Sequence, residues 1–512
     1  HSRGMSDAIP WAGQHALTGG NRSTLVGATA LIAVLFGAAC QTRAQAAPAP
    51  LPAIPETWPA GLANADRRQI SRELSDLADR LKRAREAISG EADLTRLDLF
   101  ADAGQFYKGI IWALRYETNL VAQNVILLKK ALHRGRQRTD SLLTGTPAWP
   151  DKRGKLLRGY ISAVDGSTQP YGVIVPAGYD GRKPMRLDVV LHGSSRPVGM
   201  SELRFGARFD DGDADGKSAP ERDHIELHPL GRVENCYRWA GETDVFEAIE
   251  AVCRNYRIDR DRIVLRGMSM GASGTWHLGL KHPDRFVAIG PYCGYVDTHR
   301  FSETPLPKFI KVGPLPPHQE LALHMLDSVD YAANAGVVPA IAAIGDQDVF
   351  FQAHVIMGEA FAREGLEMVN LISPGTGHRI DPVTHREQLR RIGEHAAKGL
   401  IHAPRHIRFV TWTLKYSRCH WLEVLALKQH YVRAEIEASV GPDGSIEILE
   451  PRNITRFAIR PPMPGNDGVK IRIGGRDVAL PKSGSAGVPT ALIFTQERGK
   501  WVGRRSGEEP LP

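Results

Sequence analysis

A serine between two glycines is the strongest chemical signal in the sequence. Ser269 stands in the pentapeptide Gly-Met-Ser-Met-Gly at 267–271, which follows an apolar strand predicted at 263–265 and opens a predicted helix. Flanking glycines permit the sharp strand-to-helix turn that lifts a serine hydroxyl above a sheet edge. The pattern predicts Ser269 as a nucleophile. A glycine turn that serves packing alone is the alternative.

A nucleophilic serine needs a general base and an acid that orients the base. In this type of topology they follow the serine in the order Asp or Glu, then His. Asp348 comes after the apolar strand predicted at 339–344, and His378 comes after the next one, at 369–372. Since the carboxyl ends of parallel strands share one edge, we expect these side chains to meet there. Asp346 is the alternative acid, or else it caps a helix or fixes the loop.

Two backbone N–H groups are expected to bind the oxyanion that forms during acyl transfer. One is Met270 N–H, directly after the nucleophile, and the other is Ser194 N–H, after Leu-His-Gly at 191–193. An ordinary glycine turn explains 191–193 equally well. Aromatic residues beside the predicted active edge are candidates for substrate contact, although core packing also explains any one of them; they are Trp239, Tyr292 and Phe350.

Three kinds of pattern divide the chain around these residues. Residues 66–150 show apolar residues at helical spacing and predict a helical module. Residues 151–401 open with strands predicted at 160–164 and 171–175 and then alternate strands with helices, one of them near 321–333. This alternation predicts an α/β domain with a doubly wound, mostly parallel sheet. Residues 402–512 lose the helices and predict an all-β, sandwich-like module.

The N-terminal residues 1–46 are interpreted as a tag remnant followed by a signal peptide. The apolar run at 25–39 is too short for a comfortable transmembrane helix, and Ala-Gln-Ala at 44–46 fits a cleavage site. We therefore expect a secreted or periplasmic protein without a membrane span, with lipid attachment at Cys40 left open. Residues 47–65 are an Ala/Pro linker.

The amino-acid composition limits the kinds of molecule that the protein is expected to bind. The 512 residues include 65 Lys and Arg against 57 Asp and Glu, a net charge of +8, with 42% hydrophobic residues. The charge is too small and too dispersed to indicate nucleic-acid binding. The five cysteines are too scattered for a zinc site or a disulfide framework. We expect no metal and no cofactor; the oligomeric state and any disulfide pairing stay open.

A family resemblance joins these signals. The segment 266–286, Arg-Gly-Met-Ser-Met-Gly-Ala-Ser-Gly-Thr-Trp-His-Leu-Gly-Leu-Lys-His-Pro-Asp-Arg-Phe, with 240–246 and 256–259, resembles the prolyl-oligopeptidase-like and feruloyl/acetyl-esterase-like branches of the α/β-hydrolase superfamily. The likeness spans about residues 155 to 400, and it departs at Ala272, where many relatives have a second glycine. It implies a serine hydrolase whose triad is Ser269, Asp348 and His378.

The same resemblance separates the hypotheses on function. True oligopeptidases carry a large β-propeller, whereas the N-terminal region here is about 100 residues and helical, which disfavours a peptidase. The preferred hypothesis is an exported carboxylic-ester hydrolase acting on feruloyl, acetyl or aryl esters, including polymer-linked ones. A prolyl-oligopeptidase-like peptidase is the alternative. A polysaccharide-binding surface protein with a vestigial hydrolase domain is the alternative from another class.

Overall fold

The computed structural model describes residues 48–88, 93–194, 199–213, 219–304, 312–460, 469–480 and 491–506. The tag remnant, the signal peptide and Cys40 of the sequence analysis fall outside them. Among the described helices, none has both the length and the apolar character that crossing a membrane requires.

The central element is a sheet of eight described strands, which confirms the predicted α/β class. The strands are β1 (Gly154–Ile161), β2 (Thr168–Val175), β3 (Met185–Leu191), β4 (His224–Pro229), β5 (Ile258–Met268), β6 (Ala288–Tyr292), β7 (Ile341–Gly345) and β8 (Val369–Ser373). Their order in space is β1-β2-β4-β3-β5-β6-β7-β8. β2 runs antiparallel to β1 and β4, and the remaining neighbours are parallel. The carboxyl ends of β3 to β8 therefore meet at one edge.

Three helices precede the sheet and pack on its first strands. They are α1 (Asn64–Ile88), α2 (Leu94–Tyr116) and α3 (Ala122–Leu143). Asp102 of α2 is fully buried and accepts hydrogen bonds from Arg158 Nε at 2.8 Å and from the Gly159 N–H at 2.7 Å, both on β1. Apolar residues of the three helices share one core with Leu157 and Ile161 of β1. The helices and the sheet edge are thus packed as a unit.

The further helices lie on the two faces of the sheet. They are α4 (Ser201–Ala207), α5 (Ala240–Asn255), α6 (Met270–Lys281), α7 (Pro317–Ala322), α8 (Phe351–Arg363) and α9 (Pro382–Lys398). Leu265 of β5 packs in one core with Trp276 of α6, whereas the adjacent Val264 packs with Ile392 of α9. Because neighbouring side chains of a strand point to opposite faces, α6 and α9 cover opposite sides of the sheet.

Two segments differ from the sequence prediction. β1 covers Gly154–Ile161 rather than the predicted residues 160–164. It extends further toward the N-terminus because Arg158, which resembles a surface residue in sequence, is buried against Asp102. The single helix predicted near 321–333 is instead α7 followed by two short 3-10 segments. There the buried Asn334 side chain donates to Leu280 O at 2.8 Å and to Val410 O at 2.9 Å, contacts that favour a tighter, irregular course.

The C-terminal region is all-β, as the sequence predicts. Its strands are β9 (His406–Thr411), β10 (Arg418–Cys419), β11 (Leu422–Leu427), β12 (Ala434–Val440), β13 (Ile446–Ile448), β14 (Ile454–Ile459), β15 (Ile471–Ile473), β16 (Arg476–Asp477), β17 (Leu492–Glu497) and β18 (Lys500–Arg505). They form two described sheets, β10-β11-β14-β17-β18 and β16-β15-β13-β12-β9. Phe457 and Phe494 of the first sheet share a core with Ile436 of the second, the packing of a sandwich.

Candidate active site

The nucleophile candidate occupies a strained turn between β5 and α6. Ser269 has φ 58° and ψ −120°, a backbone conformation that residues other than glycine rarely adopt. A Cβ added at Gly267 would lie 2.5 Å from Gly271 O, and one added at Gly271 would lie 2.1 Å from Leu191 O. The two glycines are therefore required because the start of α6 is pressed against the ends of β5 and β3.

Asp348 and His378 lie on the loops that follow β7 and β8. The loops are joined, since Gln347 N–H donates to Thr376 O at 3.0 Å and Thr376 N–H donates to Asp346 Oδ1 at 3.2 Å. Asp346 thus fixes the loop that carries His378, while its own carboxylate is exposed. Of the two aspartates considered in the sequence, the structure brings Asp348 to the histidine.

The three side chains form one hydrogen-bonded chain. His378 Nε2 lies 2.9 Å from Ser269 Oγ, and His378 Nδ1 lies 3.0 Å from each oxygen of Asp348. With the ring proton on Nδ1, the imidazole donates to Asp348 and Nε2 is left to accept the serine proton. The arrangement can therefore deprotonate a serine as it attacks an acyl carbon.

The acid is buried and kept ionised by its neighbours. The side chain of Asp348 is 0% exposed. Burial raises the pKa of Asp348, but hydrogen bonds from His378 and from the Phe350 N–H, at 2.8 Å, outweigh burial and hold this pKa below its ordinary value. A carboxylate in this state favours the imidazolium that forms when His378 takes a proton.

Cys293 is a further residue at the acid, and the sequence analysis did not assign it a role. It directly follows β6, is 0% exposed, and its Sγ lies within 4.8 Å of a carboxylate oxygen of Asp348. Burial and, next to it, the Asp348 charge raise the pKa of the Cys293 thiol, so the thiol is protonated as long as no cation binds it. The feature of the sequence that could have indicated a role for Cys293 is its position directly after a strand, at the same sheet edge as Ser269.

The loop after β3 lies beside Ser269. An added Cβ at Gly193 would be 3.5 Å from Ser269 Cβ, and Ser194 is exposed next to it. The His192 ring contacts Gly193 O at 2.7 Å and Leu230 O at 2.9 Å, while Tyr237 Oη donates to His192 O at 3.1 Å. His192, to which the sequence assigned no role of its own, fixes this loop.

The three aromatic candidates occupy different environments. The Phe350 ring lies 5.0 Å from the His378 ring. Trp239 directly precedes α5 and is 57% exposed. Tyr292 is instead buried, and its hydroxyl lies 3.1 Å from Ser373 Oγ and accepts the Asp381 N–H at 2.9 Å. Tyr292 is thus packed against the loop that carries His378 and supports that loop.

The model of the prolyl oligopeptidase family matches residues 237–400. Among solved structures, the chain is similar to a puromycin-hydrolysing peptidase of Mycobacterium tuberculosis, with 18% identity, 47% of this chain and 38% of that chain covered, and a TM-score of 0.34. The chain therefore spans well under half of that peptidase's length. It is similar to a fluorophosphonate-binding serine hydrolase of Staphylococcus aureus, with 17% identity, 48% of this chain and 99% of that chain covered, and a TM-score of 0.36. It is also similar to a ferulic acid esterase, with 18% identity, 48% of this chain and 97% of that chain covered, and a TM-score of 0.34.

The matched segment contains the serine turn, both loops that follow β7 and β8, and most of the parallel strands. The chain thus has an α/β-hydrolase fold, and its residues 237–400 are similar to the prolyl oligopeptidase family.

Proposed function

We propose that the chain is an exported serine carboxylic-ester hydrolase that works through an acyl-enzyme. The observation that carries the proposal is the hydrogen-bonded chain from Ser269 through His378 to Asp348 at the carboxyl edge of the sheet. Ser269 is the nucleophile, His378 the general base and acid, and Asp348 the residue that orients the imidazole.

The reaction proceeds in two halves. Ser269 Oγ attacks the ester carbonyl carbon while His378 Nε2 accepts the hydroxyl proton, and Asp348 stabilises the imidazolium. The tetrahedral intermediate then collapses, the C–O bond to the alcohol breaks, and His378 protonates the departing alcohol. A water molecule repeats the sequence on the acyl-enzyme, releasing the acid and restoring Ser269.

Met270 and Ser194 supply the N–H groups for the oxyanion in this proposal. Met270 is the first residue of α6, and the first N–H groups of a helix have no acceptor within the helix. In a trans peptide the N–H points opposite to the C=O, so the turn of Gly193 O toward the His192 ring directs Ser194 N–H the other way. Both donors lie on backbone that is held beside Ser269.

A row of aromatic rings beside the base supports an ester with an aromatic or other flat acyl group. Phe301 stacks on Phe350 with ring centroids 5.8 Å apart, and Tyr295 lies 5.0 Å from Phe301. Phe350 in turn contacts His378. Such a wall binds planar apolar groups through offset or edge contacts. Trp239, exposed at the start of α5, is the proposed outer contact for a longer substrate.

A peptidase is the second candidate, and the match of residues 237–400 to the prolyl oligopeptidase family favours it. The same triad would then attack an amide. A binding protein with a vestigial hydrolase domain is the candidate from another class, and the intact hydrogen-bonded chain at Ser269 speaks against it.

A substrate panel separates these candidates. Purified protein is assayed with p-nitrophenyl acetate, a feruloyl ester, and chromogenic prolyl and alanyl peptides. We expect a higher kcat/KM for the esters and no turnover by Ser269→Ala. A higher kcat/KM for the peptides would overturn the ester proposal. A lack of both turnover and fluorophosphonate labelling would favour the binding protein.

Export is proposed from the sequence at 25–46 alone. Expression of the untagged full chain in a Gram-negative host, followed by fractionation and N-terminal sequencing, tests it. We expect a processed chain that begins near residue 47 outside the cytoplasm. An unprocessed cytoplasmic chain would contradict export and leave the catalytic proposal standing.

A further inference from the structure

Three different ligating side chains converge at the inner end of the proposed triad. Cys293, Asp348 and His378 each offer one ligand atom, and these atoms all lie within 4.8 Å of one another. They come from the ends of three neighbouring strands, β6, β7 and β8. The cluster combines a thiol, a carboxylate and an imidazole, which is the donor set that suits zinc and related thiophilic divalent cations.

The separation between His378 and Asp348 is close to the one that such an ion requires. Zinc bonds are about 2.0 to 2.2 Å to nitrogen and oxygen and about 2.3 Å to sulfur, so tetrahedral ligand atoms lie roughly 3.3 to 3.6 Å apart. His378 Nδ1 already lies 3.0 Å from both oxygens of Asp348. Replacing that hydrogen bond by a bridging ion needs a shift of only a few tenths of an ångström at this pair.

We propose that Cys293, Asp348 and His378 form an inhibitory site for one thiophilic divalent cation, with Zn²⁺ as its best-fitting occupant. The inhibitory part rests on the proposed function of the triad. Cys293 and Asp348 are buried, whereas the His378 side chain is 31% exposed. The ion therefore reaches the cluster past His378, and a water molecule completes its coordination.

Cation binding stops catalysis because it changes which nitrogen of the His378 imidazole carries the proton. The cation takes the Nδ1 lone pair, the carboxylate and the thiolate, and the thiol proton leaves to solvent. The single ring proton moves from Nδ1 to Nε2, so no electron is transferred and one proton is released in all. Nε2–H then donates to Ser269 Oγ and no longer accepts the hydroxyl proton, which removes the general base.

A spectroscopic titration tests the site without substrate. Protein stripped of metal by a chelator is titrated with Co²⁺, a zinc substitute whose bond to a thiolate gives a near-ultraviolet charge-transfer band. We expect the band to saturate at one equivalent. Ester hydrolysis should fall in parallel when Zn²⁺ is added and return when a chelator removes it, whereas Mg²⁺, which prefers oxygen ligands, has no effect.

Cys293→Ser should abolish the cobalt band and weaken inhibition by Zn²⁺ at least about tenfold, relative to its own metal-free activity. The matched control is Cys253→Ser, a half-buried free thiol on α5, which should keep both. An unchanged band in the Cys293 variant, or its loss in the control alone, would overturn the site.

X-ray absorption of the zinc-loaded unsubstituted protein avoids any question of variant folding. One sulfur at about 2.3 Å with nitrogen and oxygen neighbours is expected, and a shell without sulfur refutes the proposal. The cobalt band needs no turnover, so its presence in an inactive protein would refute the proposed function and leave the metal site intact.

Discussion

Tyr416 Oη lies 3.0 Å from Glu242 Oε2, and this contact ties the C-terminal region to the helices behind Ser269. Glu242, on the first turn of α5, also contacts Lys415, and it lies 2.9 Å from His282 Nε2 and 3.4 Å from His277 Nε2. His277 belongs to α6, the helix that begins directly after Ser269. A buried carboxylate with several donors is stable only while they stay in place.

Removing the Tyr416 hydroxyl should therefore destabilise the fold. Tyr416→Phe leaves Glu242 with one donor fewer in a site that is 7% exposed, and we expect a loss of about 2 kcal/mol in the free energy of unfolding. Urea denaturation measures it. Tyr116→Phe, at a side chain that is 59% exposed, is the control and should change stability by less than about 0.5 kcal/mol. Equal midpoints for Tyr416→Phe and the unsubstituted protein would contradict this account.

The two neighbouring aspartates should differ sharply in their effect on turnover. Asp348→Asn replaces the carboxylate that accepts His378 Nδ1–H and favours the wrong tautomer, so we expect kcat on p-nitrophenyl acetate to fall about 10⁴-fold. Asp346→Asn keeps an oxygen for the Thr376 N–H and should lose less than about tenfold. Comparable losses in the two variants would contradict the assignment of Asp348.

The strand ends and the candidate triad were predictable because they follow local rules. A glycine-flanked serine after an apolar strand, and polar residues after two later strands, suffice to bring Ser269, Asp348 and His378 to one edge. The parallel strands fix that edge whatever the details of packing. Alternating strand and helix patterns likewise predicted the α/β class and the β region after it.

The remaining features depend on contacts that a linear pattern does not contain. Cys293 reaches Asp348 only because β6 and β7 are neighbours in the sheet. Arg158 is buried because Asp102, far from it in sequence, neutralises it, so β1 was predicted too short. Asn334 bonds two carbonyl groups on other elements, which breaks a segment whose spacing predicted a continuous helix.

Acid should destabilise the fold through a buried histidine. Burial lowers the pKa of His354 from 6.5 to about 4, with Asn370 and the Asp348 charge opposing that effect. Between these two values the unfolded chain binds the proton and the folded chain does not, so stability falls as the pH falls. Between the two pKa values, the loss in the free energy of unfolding amounts to about 3 kcal/mol.

Urea denaturation at several pH values between 7 and 4 measures this loss. His354→Gln should flatten the dependence, because the variant has no proton to take up at this position. His318→Gln, at an exposed histidine, is the control and should leave the slope unchanged. His277, whose pKa burial and Lys281 lower to about 3, contributes in the same window, so some slope is expected to persist. A slope that His354→Gln does not alter would refute this explanation.

A methyl group at Gly271 should disrupt the serine turn. The added Cβ would lie 2.1 Å from Leu191 O and 2.9 Å from His192 O, so α6 or the loop after β3 must move. Moving either one displaces Ser269, and we expect Gly271→Ala to lose about 2 to 3 kcal/mol of stability and most of the turnover of p-nitrophenyl acetate that the proposed function predicts. Gly178→Ala is the matched control, because an added Cβ there meets nothing within 4 Å. It should be neutral or stabilise by about 0.4 to 1 kcal/mol. Full turnover by Gly271→Ala, with the control behaving as expected, would show that the turn tolerates this shift and that its close packing is not what holds Ser269.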